Sequence, residues 1–261
     1  MTPAGEIVRV PYENGAWMDA YFVTPKGSKD QVPAVIAFGG LDEFKDELLH
    51  EMPKHALPRG LSLLLVDLPG QGGTLRRQGL VNRFDTEVPI GRCVDYLISR
   101  GDVDRERIAV YGASLGGYYA PRAACFDDRI SAVVSDGAIW NHERLARRLF
   151  VSDPESHLGL LEKWVFGVET VEAVAEKSKQ FRLDGVLERL KCPYLITHGG
   201  ADWLGLDVAQ ESLRYGMRHG VDVTLKIFYP EETGASHCQI DNPTLGQEFI
   251  CDWLADRLTR R

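Results

Sequence analysis

Residues 107–120 read Arg-Ile-Ala-Val-Tyr-Gly-Ala-Ser-Leu-Gly-Gly-Tyr-Tyr-Ala, an apolar run that enters Gly112-Ala113-Ser114-Leu115-Gly116 and continues as a helix. No other segment constrains the fold as tightly. A strand that turns sharply into a helix around one serine leaves no room for bulk two residues to either side, so Gly112 and Gly116 allow the backbone to close on itself. The turn lifts the Ser114 hydroxyl above the end of a sheet. A G-x-S-x-G pattern alone describes any tight turn; the strand before it and the helix after it make Ser114 a candidate nucleophile.

The surrounding sequence supplies that sheet. Apolar runs at 34–38, 61–66 and 108–111 are continuous rather than alternating, as in parallel strands covered on both faces. Helical patterns at 43–57 and 87–100 separate them, and Pro53 should break or kink the first. Further strands are expected at 130–135, 194–197 and 223–228, with helices at 206–219 and 244–258. Segments 6–10 and 17–24 flank Glu13-Asn14-Gly15 and read as a β-hairpin at a sheet edge. The expected architecture is an α/β fold, a mostly parallel doubly wound sheet.

One stretch interrupts the alternation. Residues 139–190 are helix-forming, charge-rich and carry Trp140, Phe150, Trp164, Phe166 and Phe181. They read as a helical cap inserted into a core made of 1–138 and 191–261. Such an insertion sits over the carboxyl ends of the strands, where open α/β sheets bind ligands.

At 261 residues with 44% hydrophobic content, the chain can bury one large core. Its net charge of −8 and lack of a basic stripe argue against nucleic acid as a partner. Cys93, Cys125, Cys192, Cys238 and Cys251 form no C-x-x-C pair and are odd in number, which fits a reducing compartment. Without a signal-like N-terminus or about 18 consecutive apolar residues, the expected location is cytoplasmic, with no membrane partner. Metal-ligand spacing and a phosphate-cradling loop are both missing, so no metal and no cofactor are expected. The N-terminal hairpin offers an edge through which a homodimer could pair.

A serine hydroxyl is a poor nucleophile at neutral pH and needs a base, and the base needs an orienting acid. Asp202 follows the strand at 194–197 in His198-Gly199-Gly200-Ala201-Asp202-Trp203, where two glycines can return a carboxylate toward Ser114. Asp207 is the alternative, although its place at the start of the next helix suits a structural cap. For the base, His237 lies in the small-residue loop Thr233-Gly234-Ala235-Ser236-His237-Cys238 after the last strand. The other six histidines fall on helices, in the cap or before the acid turn. Backbone amides must also hold the developing oxyanion: Leu115 after the nucleophile, and Gly40 or Leu41 in Phe38-Gly39-Gly40-Leu41. Asp136, Trp140, His142 and Trp164 are candidate contacts for a small-molecule carbonyl substrate. Asp67 is assigned to its own turn, and Cys238 to packing.

With serine, acid and histidine in this order, the chain resembles the α/β-hydrolase superfamily over almost its whole length. Three segments, Phe38–Glu47, Asp67–Gly72 and Tyr111–Ala120, are similar to the group containing dihydroxypseudooxynicotine hydrolase and fungal polyketide-shortening hydrolases. The resemblance implies an α/β-hydrolase fold with a helical cap, and a Ser114–Asp202–His237 triad acting through an acyl-enzyme. It also implies cleavage of a C–C bond beside a carbonyl in a β-dicarbonyl or polyketide-like substrate. Members of that group carry a helical region before the hydrolase domain, where this chain has a short hairpin. Ester or thioester hydrolysis and acyl transfer therefore stand beside C–C cleavage, and a catalytically silent ligand-binding fold is the reading from another class.

Overall fold

The structure, a computed structural model, describes residues 5–27, 30–149, 151 and 153–259; Phe150 lies outside them. Eight strands form one sheet: β1 (Glu6–Pro11), β2 (Trp17–Val23), β3 (Val32–Phe38), β4 (Ser62–Val66), β5 (Val103–Ala113), β6 (Ile130–Asp136), β7 (Tyr194–Gly199) and β8 (Val223–Phe228). Their spatial order is β1-β2-β4-β3-β5-β6-β7-β8. The hairpin β1–β2 is antiparallel, β2 also runs antiparallel to β4, and from β4 to β8 every neighbouring pair is parallel. Asn14 and Gly15 turn the hairpin with φ of 55° and 78°, a left-handed conformation that asparagine and glycine tolerate best.

Because strand side chains alternate between faces, each central strand feeds two cores. In β3, Ala34, Ile36 and Phe38 enter one cluster, and Val35 and Ala37 enter the other. The first core is covered by α3 (Gly72–Gln78), α4 (Glu87–Ser99), α5 (Gly116–Ala124) and α9 (Leu206–Arg218), through residues such as Leu75, Ile90, Val94, Tyr118 and Ala209. Across the sheet lie α1 (Lys45–Glu51), α2 (Pro53–Ala56) and α10 (Pro243–Thr259), whose Leu48, Met52, Ile250 and Leu254 fill the second core. Burial on both faces explains why the strands read as continuous apolar runs.

The expected break at Pro53 is present. Pro53 ends one helical segment and takes the first position of the next, where its missing N–H costs no hydrogen bond. After β6 the chain leaves the sheet for α6 (His142–Leu149), α7 (His157–Phe166) and α8 (Val171–Lys177), then returns at β7. Phe166 and Phe181 are fully buried among these helices and pack 5.1 Å apart, so their role is to hold the layer together. Among the described residues no helix is long and apolar enough to cross a membrane.

Candidate active site

Parallel strands bring their carboxyl ends to one edge, and the chain places its chemistry there. Ser114 follows β5, Asp202 lies three residues beyond β7, His237 stands in the loop after β8, and Leu41 follows β3. Strand order therefore assembles residues that are 123 positions apart in the chain.

Ser114 adopts φ 54°, a left-handed conformation costly for a residue with a Cβ. Its N–H donates to the Asp136 carbonyl at 2.7 Å, which locks the turn against β6. A Cβ on Gly112 would fall on the Gly116 carbonyl oxygen, and one on Gly116 would lie 2.7 Å from the Gly39 oxygen. Both glycines meet the steric demand anticipated for them.

His237 Nε2 lies 2.9 Å from Ser114 Oγ. On its other side, Nδ1 lies 2.9 Å from Asp202 Oδ2 and 3.1 Å from Oδ1. Asp202 is itself fixed: its Oδ1 accepts the Leu204 N–H at 2.8 Å. The loop carrying His237 is tied down by Asp241, which accepts the N–H groups of Ala235 and Ser236 at 3.1 and 2.9 Å. Trp203 packs beside the imidazole, ring centroids 4.9 Å apart. Asp207 instead sits in the first turn of α9, away from His237. Behind Asp202 lies His198, whose pKa burial lowers, which keeps it neutral at neutral pH.

Gly40 packs so closely on the serine turn that a Cβ there would lie 2.5 Å from Ser114 Cβ and 2.9 Å from the Leu115 nitrogen. The amides of Leu41 and Leu115 donate to no protein acceptor among the described residues. A buried Gln71 explains their orientation. Its Nε2 donates to the Gly39 and Gly40 carbonyls at 2.6 and 2.9 Å, while its Oε1 accepts the Leu68 N–H at 3.0 Å. In a trans peptide the N–H opposes the C=O, so holding the Gly40 carbonyl on Gln71 turns the Leu41 amide the other way. Of the two loop candidates, Leu41 lines the cavity above Ser114 and Gly40 does not.

That cavity measures about 420 Å³ and is walled by Leu41, Leu115, Ile139, Leu145, Leu158 and Trp203, with Ser114 and His237 exposed to it. His142 reaches it from the helical layer. Its Nδ1 lies 2.9 Å from Ser178 Oγ and its Nε2 3.0 Å from Glu162 Oε1, so it joins α6 to α7 and to the turn after α8.

Three of the four expected substrate contacts are corrected by this geometry. Asp136 lies beneath the serine turn, where its carboxylate accepts from Tyr111 Oη at 3.1 Å and Thr197 Oγ1 at 2.9 Å; burial raises its pKa. It braces the turn and does not line the cavity. Trp140 is buried against Tyr215, ring centroids 4.9 Å apart, and borders a separate cleft of about 110 Å³ between α6 and α9. Trp164 is half-exposed with the Arg76 guanidinium 5.9 Å from its ring, on the outside of the layer. Asp67 does bind its own turn, accepting the Gly73 N–H at 2.7 Å, and also caps α1 through the Lys45 N–H at 2.9 Å. The Cys238 thiol donates to the Asp136 carbonyl at 3.3 Å, and burial pushes its pKa well up.

Gln71 and Glu162 were not anticipated. A signal existed for each: Gln71 lies between two glycines at a helix start, and Glu162 falls at i+4 from Leu158 and i−3 from Val165, on an apolar helix stripe. A carboxylate on such a stripe needs a buried partner.

The fold and this constellation of residues define an α/β-hydrolase, and the chain is an enzyme of that class. It belongs to the FrsA-like esterase family, which matches residues 6–194. Hydrolase LUC6 of Fusarium sp is 35% identical over 234 residues, covering 75% of this chain and 54% of that protein. The 20-hydroxy-prefusarin hydrolase FUS2 of Gibberella moniliformis is 36% identical over 209 residues, covering 66% of this chain and 48% of its own length. The chain thus spans about half the length of the curated relatives it matches. Among solved structures, the 2,6-dihydroxy-pseudo-oxynicotine hydrolase superposes with a TM-score of 0.80 at 27% identity, over 99% of this chain and 69% of that one.

Proposed function

We propose that the chain is a serine hydrolase that cleaves a small or medium apolar carbonyl compound through an acyl-enzyme. The observation that carries this reading is the continuous contact from Asp202 through His237 to Ser114 at the floor of an apolar cavity. His237 Nε2 takes the proton as Ser114 Oγ attacks the carbonyl carbon, and Asp202 stabilises the imidazolium that forms. The Leu41 and Leu115 amides receive the negative oxygen.

Collapse of the tetrahedral intermediate breaks the bond on the far side of the carbonyl. In a 1,3-diketone this is the C–C bond, whose electron pair leaves as an enolate and takes the proton from His237. In an ester it is the C–O bond, and an alcohol leaves. Water then attacks the acyl-enzyme, gives its proton to His237, and releases a carboxylic acid as the proton returns to Ser114 Oγ. A 1,3-diketone plus water yields a ketone and an acid. The likeness to the pseudo-oxynicotine hydrolase favours the C–C bond; the FrsA-like esterase family favours the ester.

Mass spectrometry of products from an aryl 1,3-diketone and a matched aryl ester tests both. Wild type is expected to form ketone and acid from the diketone, and Ser114→Ala to lose that activity by about 10⁴-fold or more, as when a triad serine is removed. Ester cleavage alone would confine the enzyme to carboxylesterase chemistry. Turnover unchanged in Ser114→Ala would overturn the mechanism.

A further inference from the structure

Glu162 keeps one carboxylate oxygen unused inside the cavity. Its Oε1 meets His142 Nε2, but Oε2 is buried and has no hydrogen-bond partner among the described residues. Glu162 and His142 are each only 1% exposed. A buried acceptor left unpaired is destabilising, and a carboxylate more so than a neutral oxygen. The side chain is held in this position because His142, pinned in turn by Ser178, fixes its other oxygen. Both residues line the cavity that contains Ser114 and His237.

We propose that Glu162 is the substrate-recognition residue of this pocket, and that its free Oε2 accepts a hydrogen bond from an uncharged hydroxyl on the substrate, away from the scissile carbonyl. The proposal rests on the serine hydrolase reading of the same cavity and adds a substrate class to it: hydroxylated, otherwise apolar carbonyl compounds. Three features of the pocket select that class. An unpaired acceptor requires a donor. The walls of leucine and isoleucine offer no replacement for the hydration shell of an ammonium group. Glu162 and Asp42, which line the same cavity, repel carboxylates and phosphates. A substrate lacking the hydroxyl leaves Oε2 desolvated and unpaired, which is how a site built for a hydroxyl rejects its deoxy analogue.

The experiment measures protection of Ser114 from a fluorophosphonate label by 4-phenylbutan-2-one and its ring-substituted forms. Hydroxyl, methoxy and aminomethyl groups are each placed at ring positions 2, 3 and 4. At one position or more, the hydroxyl ketone is expected to half-protect at a concentration about 10- to 100-fold below its methoxy and unsubstituted counterparts, the span of a hydrogen bond to a charged acceptor. In Glu162→Leu that ratio is expected to fall to about 1, and in Glu162→Gln, which retains an acceptor oxygen, to an intermediate value. Equal protection across the wild-type series, no protection by any member, stronger protection by the aminomethyl forms, or a hydroxyl preference that survives in Glu162→Leu would each overturn the proposal. Should Glu162→Leu not fold, the wild-type series and Glu162→Gln decide it. Failure of fluorophosphonate to label wild-type Ser114 would instead remove the serine hydrolase reading beneath it.

Discussion

Ser114 and Gln71 show how much of the site is backbone geometry. The serine is held at φ 54° by a turn that glycines make sterically possible, and the loop opposite it is held by the amide of Gln71. Replacing Gln71 with leucine removes two hydrogen bonds and frees the Gly40–Leu41 peptide to rotate. Gln71 touches no reacting atom; it is a positioning residue. Gln71→Leu is expected to lower kcat by about 100-fold, the scale of one lost oxyanion donor, while KM moves about 3-fold or less. Steady-state kinetics on an aryl ester checks this, and a change in KM alone would mean that Gln71 shapes the pocket without aiming the amide. Ser114, Asp202 and His237 were legible because each follows a strand end in a readable order of motifs. Gln71 was not, since its partners are main-chain carbonyls 31 and 32 residues earlier, which no side-chain pattern records.

Elements were legible where periodicity was clean and obscure where charge or glycine intervened. The strand expected at 108–111 extends back to Val103 because Asp104, Arg105 and Glu106 continue the extended backbone without apolar character. Helix α3 went unread because it opens with Gly72-Gly73, a loop signal in sequence; its Leu75 and Thr74 are buried on the sheet. The helices over the active edge depend on a polar link that the sequence also concealed, His142 between Ser178 and Glu162. His142→Ala strands a buried carboxyl with neither oxygen paired, and a loss of about 3–5 kcal/mol is expected. Replacing both residues, His142→Phe with Glu162→Leu, removes donor and acceptor together and is expected to cost less than His142→Ala alone. Urea unfolding of the three variants measures the difference; a double variant at least as unstable as the single one would show that the link is apolar packing in disguise.

The whole molecule is organised by six parallel strands, β4-β3-β5-β6-β7-β8, whose carboxyl ends share one edge, and by the buried polar groups that brace that edge from below. Asp136 is the central brace, and its folded pKa is raised by burial. A carboxyl with a raised folded pKa contributes stability that is complete below its unfolded value of about 3.9 and is lost as pH climbs through the folded value. The stability of wild type relative to Asp136→Asn should therefore fall as pH rises from about 4 toward neutrality, whatever the offset between the two. Thermal unfolding of both proteins across that range tests the sign, and a gap that widens in favour of wild type would contradict it. Local sequence determined the strand and helix succession, the serine turn with its flanking glycines, and the identities of Ser114, Asp202 and His237, because propensity, periodicity and motif order are properties of near neighbours along the chain. Tertiary structure alone decided that Asp136 supports the turn from below, that Trp140 and Trp164 face elsewhere, that Gln71 holds the Gly39–Gly40 loop, and that Glu162 presents an unpaired oxygen to the cavity. Each of those roles is set by a partner brought near by packing, and distance in space between residues far apart in sequence is written only in the fold.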